Sequence, residues 1–236
     1  CKAYESHVAV RGISFRVAPG EVWGLVGPNG AGKTTTLRAL TGIIPPSGGT
    51  LKIAGFDVEQ QALAAKQRTG YVPDDPQLFH DLTVQDHLAF TASVYQVEDA
   101  GDRADELLKR FELEHKRDTP AADLSRGMRQ KLAICCAYLH RPHAILLDEP
   151  MTGLDPRGIR VFKESVQALA ETGAAIIISS HLLAMVEGIC SHVMILDEGR
   201  QTFSGPLKEL GLQLSGCAAE ATFEELFLCA TGSTSA

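Results

Sequence analysis

Residues Gly27-Pro28-Asn29-Gly30-Ala31-Gly32-Lys33-Thr34 constrain this chain more than any other stretch. The apolar run Val22 to Val26 precedes them and reads as a buried strand, and Thr35-Thr36-Leu37-Arg38-Ala39-Leu40 follows as the first turns of a helix. Strand, glycine-rich loop and helix together give the spacing G-x-x-x-x-G-K-T its chemical meaning. Glycines let the backbone N–H groups approach an anion closely, and a helix opening at Lys33 adds unpaired N–H groups and a positive dipole end. Lys33 is placed to reach the β- and γ-phosphates, and the Thr34 hydroxyl to take one position on Mg²⁺. The stretch predicts a site for a nucleoside triphosphate.

A net charge of −7 over 236 residues argues against a broad nucleic-acid surface. No apolar run approaches the length of about 20 residues that crosses a bilayer. Hydrophobic content of 44% is that of an ordinary globular chain with a substantial core. Six cysteines (Cys1, Cys135, Cys136, Cys190, Cys217 and Cys229) show no metal-type spacing and are expected as buried, reduced thiols.

Other stretches supply further candidates. His7–Val10 and Ile13–Val17 alternate like two strands around Pro19-Gly20, with Tyr4 upstream as a ring able to stack on a base. Thr50–Gly55 reads as a strand, Glu59–Arg68 as a helix, and Gly70–Pro73 as a brief strand ending in the acidic loop Asp74-Asp75-Pro76. Asp74 emerges where Mg²⁺ or attacking water would sit. Helical patterns follow from Thr83, over Ala104–Phe111, and from Ser125 to Leu139. Ser125 is a helix cap whose neighbouring N–H groups are candidates for a second phosphate contact. Ala144–Leu147 then delivers Asp148 and Glu149 to the C-terminal end of a buried strand, where open α/β sheets bind ligands. Asp148 is suited to Mg²⁺, and Glu149 to orienting and deprotonating water. Ala174–Ile178 ends near His181 at the same sheet edge, a candidate γ-phosphate contact. His192–Leu196 is the last core strand expected, and Thr231–Ala236 reads as a disordered tail.

In this order, these residues resemble the nucleotide-binding subunit of an ATP-binding cassette (ABC) transporter over nearly the whole chain. Gly27–Thr34 looks like Walker A, Leu124-Ser125-Arg126-Gly127-Met128 like the family signature, and Ile145–Pro150 like Walker B with its glutamate. Gly153-Leu154-Asp155 resembles the D-loop, His181 the switch histidine, and Tyr4 the base-stacking aromatic. Asp74 stands where the family usually has glutamine, as does Met128. With Phe223–Leu228, these departures resemble a bacterial subclass paired with exporter-type membrane subunits.

The resemblance implies an α/β P-loop (RecA-like) core with a small antiparallel β subdomain and an inserted α-helical subdomain. Residues 1–75 and 144–205 would form the core, 76–143 the helical part, and 206–236 an extension. ATP and Mg²⁺ are the implied cofactors. The implied site comprises Tyr4, Gly27 to Thr35, Asp74, Ser125 to Met128, Asp148, Glu149, Asp155 and His181. The implied partners are a second such subunit, identical or not, and membrane permease subunits docking near Pro76–Phe79, on the cytoplasmic face of the membrane. No nucleic-acid partner is expected.

Three other readings compete. Soluble ABC ATPases of ribosome or DNA-repair type carry a second cassette or a long coiled-coil insertion, and neither is visible here. A module that binds ATP without hydrolysing it is disfavoured by Glu149 and His181. A kinase or GTPase would leave the signature stretch unexplained.

Overall fold

Two short strands, Lys2–Tyr4 (β1) and His7–Val10 (β2), open the chain as an antiparallel hairpin. Val22–Val26 (β3) is buried at every position, so only sheet neighbours can satisfy its backbone. The computed structural model describes residues 1–5, 7–213 and 222–231. Lys33–Leu40 (α1) follows, then the hairpin of Lys52–Ile53 (β4) and Phe56–Asp57 (β5), Ala62–Lys66 (α2) and Thr69–Val72 (β6). Three helices come next: Val84–Tyr95 (α3), Ala100–Arg110 (α4) and Arg126–Leu139 (α5). Strands and helices then alternate through Ala144–Asp148 (β7), Pro156–Glu171 (α6), Ala175–Ser179 (β8), Leu183–Glu187 (α7) and His192–Asp197 (β9). Arg200–Pro206 (β10), Leu210–Gln213 (α8) and Phe223–Ala230 (α9) complete the order.

Among the described residues the central sheet has six strands in the order β10-β9-β3-β8-β7-β6, parallel throughout except for the edge strand β10, which runs antiparallel to β9. Ser179 stands opposite both Leu25 and Asp148, so β3, β7 and β8 end level. The loops carrying Gly27, Glu149 and His181 therefore leave one edge of the sheet. Along β7 the side chains alternate between two cores, as the pleat requires. Ile145 and Leu147 join Phe111, Leu132, Tyr138 and Phe162 on one side. Leu146 joins Trp23, Leu25 and Leu37 on the other.

Thr83 starts α3 with a reciprocal cap, accepting from the Asp86 N–H at 3.1 Å while Asp86 accepts from the Thr83 N–H at 3.1 Å. Thr83→Ala is expected to cost about 1 kcal/mol. A lower denaturant midpoint with an unchanged slope would register that loss.

Several sequence expectations are corrected. Ile13–Val17 forms no strand; its apolar residues rest on the second core, while the flanking Arg11 and Gly20 N–H groups bond Gly199 and Ala174 carbonyls. The single strand expected over Thr50–Gly55 is a hairpin, β4–β5. Helix α2 starts later than expected because the Asp57 carboxylate takes the Glu59 and Gln60 N–H groups into a turn. Strand β10 and helix α7 were not anticipated; each buries one residue, Phe203 and Val186, too few to mark a period.

The cysteines are not uniformly buried thiols. Cys135 and Cys190 are buried and free, Cys136 half-buried and free, Cys1 exposed and free. Cys229, on the exposed side of short α9, is disulfide-bonded. Cys217 and residues 232–236 lie outside the described residues, while Thr231 caps α9 rather than beginning a tail.

Candidate functional site

Helix α1 opens from Gly32, whose φ of +102° lies in the left-handed region, with no side chain capping its first N–H groups. A Cβ at Gly32 would come within 2.6 Å of the Ala9 carbonyl oxygen, and one at Gly27 within 2.3 Å of that of Leu196. The loop is thus wedged between β2 and β9, and its tip, Pro28-Asn29-Gly30, is exposed. Ala31 is buried beneath it, and Thr34 and Thr35 are half-buried on the first turn. Tyr4 is exposed on the hairpin that abuts Gly32, with the Lys2 ammonium 4.9 Å from its ring centre.

Lys33 is only 8% exposed, and its ammonium donates to the Gly27 and Pro28 carbonyls at 2.7 and 3.1 Å. Burial pushes its pKa below the ordinary value, and the Glu149 and Asp148 carboxylates draw it back up. Thr36, which sequence reasoning passed over, ties α1 to the loop by donating to the Gly32 carbonyl at 2.8 Å.

At the ends of β7 and β8 the acids are brought together by a residue given no role from sequence, Ser179. Its hydroxyl donates to Asp148 Oδ1 at 2.6 Å and accepts from the Glu149 N–H at 3.0 Å. Asp148 is 2% exposed. The signal was a small hydroxyl residue at the equivalent end of the adjacent strand, which is visible only once the strand register is known. Glu149 sits at φ +47°, an uncommon conformation for a residue with a side chain. Its Oε2 lies 2.8 Å from His181 Nδ1, with Glu149 largely covered and His181 more than half exposed.

The signature stretch lies at the start of α5. Ser125 caps the helix, accepting from the Met128 N–H at 3.3 Å, and Met128 turns its side chain against the main core. A Cβ at Gly127 would meet the Gly153 carbonyl oxygen at 2.5 Å. Asp155 caps α6 through the Gly158 N–H at 2.9 Å. Asp74 is exposed and pairs with Arg126, 4.0 Å away, so the acid expected beside the metal meets a cation of the signature turn.

Between β6 and helices α3 and α5 lies a cavity of about 240 Å³ lined by residues including Tyr71, Pro76, Leu78, Tyr95, Cys136 and His140. Its lining holds no charged side chain among the described residues. Phe79 and Phe90 meet edge to face at 5.5 Å and stand exposed nearby, as does Val94. His140 stacks on Tyr95, and burial pushes its pKa down to about 4, so it is neutral at pH 7.

Sheet, loop and acid edge together define a P-loop nucleoside triphosphatase. The family model described as ABC transporter matches residues 10–152. Nod factor export ATP-binding protein I of Cupriavidus metallidurans is 37% identical over 218 residues, 92% of this chain and 72% of the relative. The ABC-type transporter ATP-binding protein EcsA of Bacillus subtilis is 34% identical over 227 residues, 95% and 91% of the two chains. A solved structure described as an ATP-binding subunit of an ABC transporter superimposes with a TM-score of 0.92 at 32% identity, covering 97% of this chain and 95% of the other. The chain belongs to the ABC transporter family. It is an ATP-binding subunit with ATPase activity coupled to transport.

Proposed function

We propose that two such subunits pack head to tail, with ATP held between Gly27–Thr35 of one and Ser125-Arg126-Gly127-Met128 of the other. Each chain offers two helix starts suited to anions, one at Lys33 and one at Arg126. Tyr4 stacks on the base, and Asp155 belongs to the facing edge. Glu149 is the general base for the attacking water, and His181 contacts the γ-phosphate while holding the Glu149 carboxylate. The observation that carries this reading is the Glu149–His181 contact of 2.8 Å, on the sheet edge that also delivers Lys33.

The donors fit Mg²⁺: Thr34, Asp148 and Asp74 offer hard oxygens, and Ser179 fixes the orientation of the Asp148 carboxylate. A bound Mg²⁺ would supply charge neutralisation for the transferred phosphoryl group. Residues 1–75 and 144–205 form the nucleotide core, and 76–143 the helical segment. ATP closes the dimer, and hydrolysis lets it open.

The uncharged cavity with Phe79 beside it is the seat for a permease subunit, which would place the chain on the cytoplasmic face of the membrane. Export is the direction favoured, in keeping with the name of the Nod factor export relative. Co-purification of the tagged chain from its native membranes tests this reading. Recovery of a polytopic membrane protein supports it; recovery of ribosomal or DNA-repair proteins without one would overturn the transport role. Phe79→Asp is expected to lower recovery of the membrane partner by roughly tenfold or more while leaving ATP binding unchanged.

A further inference from the structure

Asp74 and Arg126 belong to different parts of the chain, the loop after β6 and the first turn of α5, yet their side chains meet at 4.0 Å. The guanidinium is not free to roam. Its stem crosses Gly153, where a Cβ would sit 3.2 Å from Cγ and 3.3 Å from Cδ of Arg126. Gly153 has a φ of +82°, and its carbonyl in turn touches Gly127. The first turn of α5 is therefore seated on the Gly153 turn by backbone contact and linked to the Asp74 loop by charge.

We propose that Asp74 and Arg126 form a nucleotide-sensitive tether between the loop after β6 and the signature turn. Without nucleotide, the pair holds the signature turn at a fixed angle to the core. This rests on the head-to-tail reading above: once the dimer closes, Arg126 exchanges Asp74 for phosphate oxygens carried by the facing subunit. Asp74 is then released toward the metal end of its own site. Each charge has two alternative partners, and the exchange leaves neither unpaired. Both side chains are more than half exposed, and an exposed pair shifts an equilibrium by about fivefold at most. That is strong enough to bias the angle and weak enough for a bound nucleotide to reverse.

Hydrogen exchange on the intact nucleotide-free chain tests the tether directly. Asp74→Asn and Arg126→Gln are each expected to raise amide exchange severalfold in residues 73–79 and in the first turn of α5. Arg126→Lys should retain protection, and the charge-exchanged double variant Asp74→Arg with Arg126→Asp should restore it. Raising salt to about 0.5 M should bring the wild type to the level of the single variants. With Mg²⁺ and a non-hydrolysable ATP analogue, the non-additivity between the two single changes should vanish.

Single variants that exchange like the wild type, or a charge exchange that restores nothing, would overturn the tether. Coupling that persists with bound nucleotide would overturn the exchange of partners. The nucleotide-site reading fails separately, by an absence of analogue binding to the wild type in a fluorescence titration, and that result leaves the nucleotide-free tether standing.

Discussion

Glu149→Gln is expected to bind ATP as the wild type does while turnover falls by about 10²–10⁴-fold, the usual worth of a positioned general base. Glutamine matches glutamate in size, so it tolerates the same φ of +47° as well as the native residue. Its amide oxygen retains an acceptor for His181, so the 2.8 Å contact and the shape of the edge survive. What is lost is the capacity to take a proton from water. If ATP closes the dimer and hydrolysis opens it, the variant should accumulate ATP-loaded dimers, visible as an earlier peak in size-exclusion chromatography. Hydrolysis close to the wild-type rate would remove Glu149 from the role of base.

Lys33→Ala should instead weaken the step before chemistry. The ammonium lies against the Gly27 and Pro28 carbonyls, 8% exposed, with Asp148 and Glu149 acting on it electrostatically. Withdrawing it takes the principal positive charge from a pocket edge that carries two carboxylates. A charge-assisted hydrogen bond is worth about 1.5–3 kcal/mol, so nucleotide affinity should fall by roughly a hundredfold. Equilibrium titration with a fluorescent nucleotide checks this, and the dimer should not form at ATP concentrations that close the wild type. Unchanged affinity would mean that the backbone N–H groups of the loop carry the phosphates alone. The two variants separate binding from chemistry, since one keeps the dimer without turnover and the other loses both.

Much of this was legible from residues alone, and the reason is local. The strand, loop and helix around Gly27–Thr34 are contiguous, and their spacing is dictated by covalent geometry. The caps at Thr83 and Ser125 were each announced by a hydroxyl before a periodic run, and both close on a backbone N–H, whereas those at Asp155 and Thr222 emerged only in the structure. What could not be read depends on pairing across the sheet. Ser179 acquires its place only because β8 lies beside β7 in one register. The meeting of Asp74 with Arg126 brings together residues more than fifty positions apart, and no periodicity encodes it. Ile13–Val17 shows the opposite failure: alternation was present, but its side chains found a core without its backbone finding a partner strand.

The level ending of β3, β7 and β8 has a consequence for how this protein fails. Side chains alternate every residue along a strand, so a slip of β8 by one position would turn Ile178 toward Asp148 and point the Ser179 hydroxyl away. Such a misthreaded chain would keep its helices and much of its secondary-structure signal while leaving Asp148 and Glu149 without their common hydroxyl. Catalysis here doubles as a gauge of sheet alignment. Specific activity per mole of folded protein would report refolding errors that circular dichroism passes as correct.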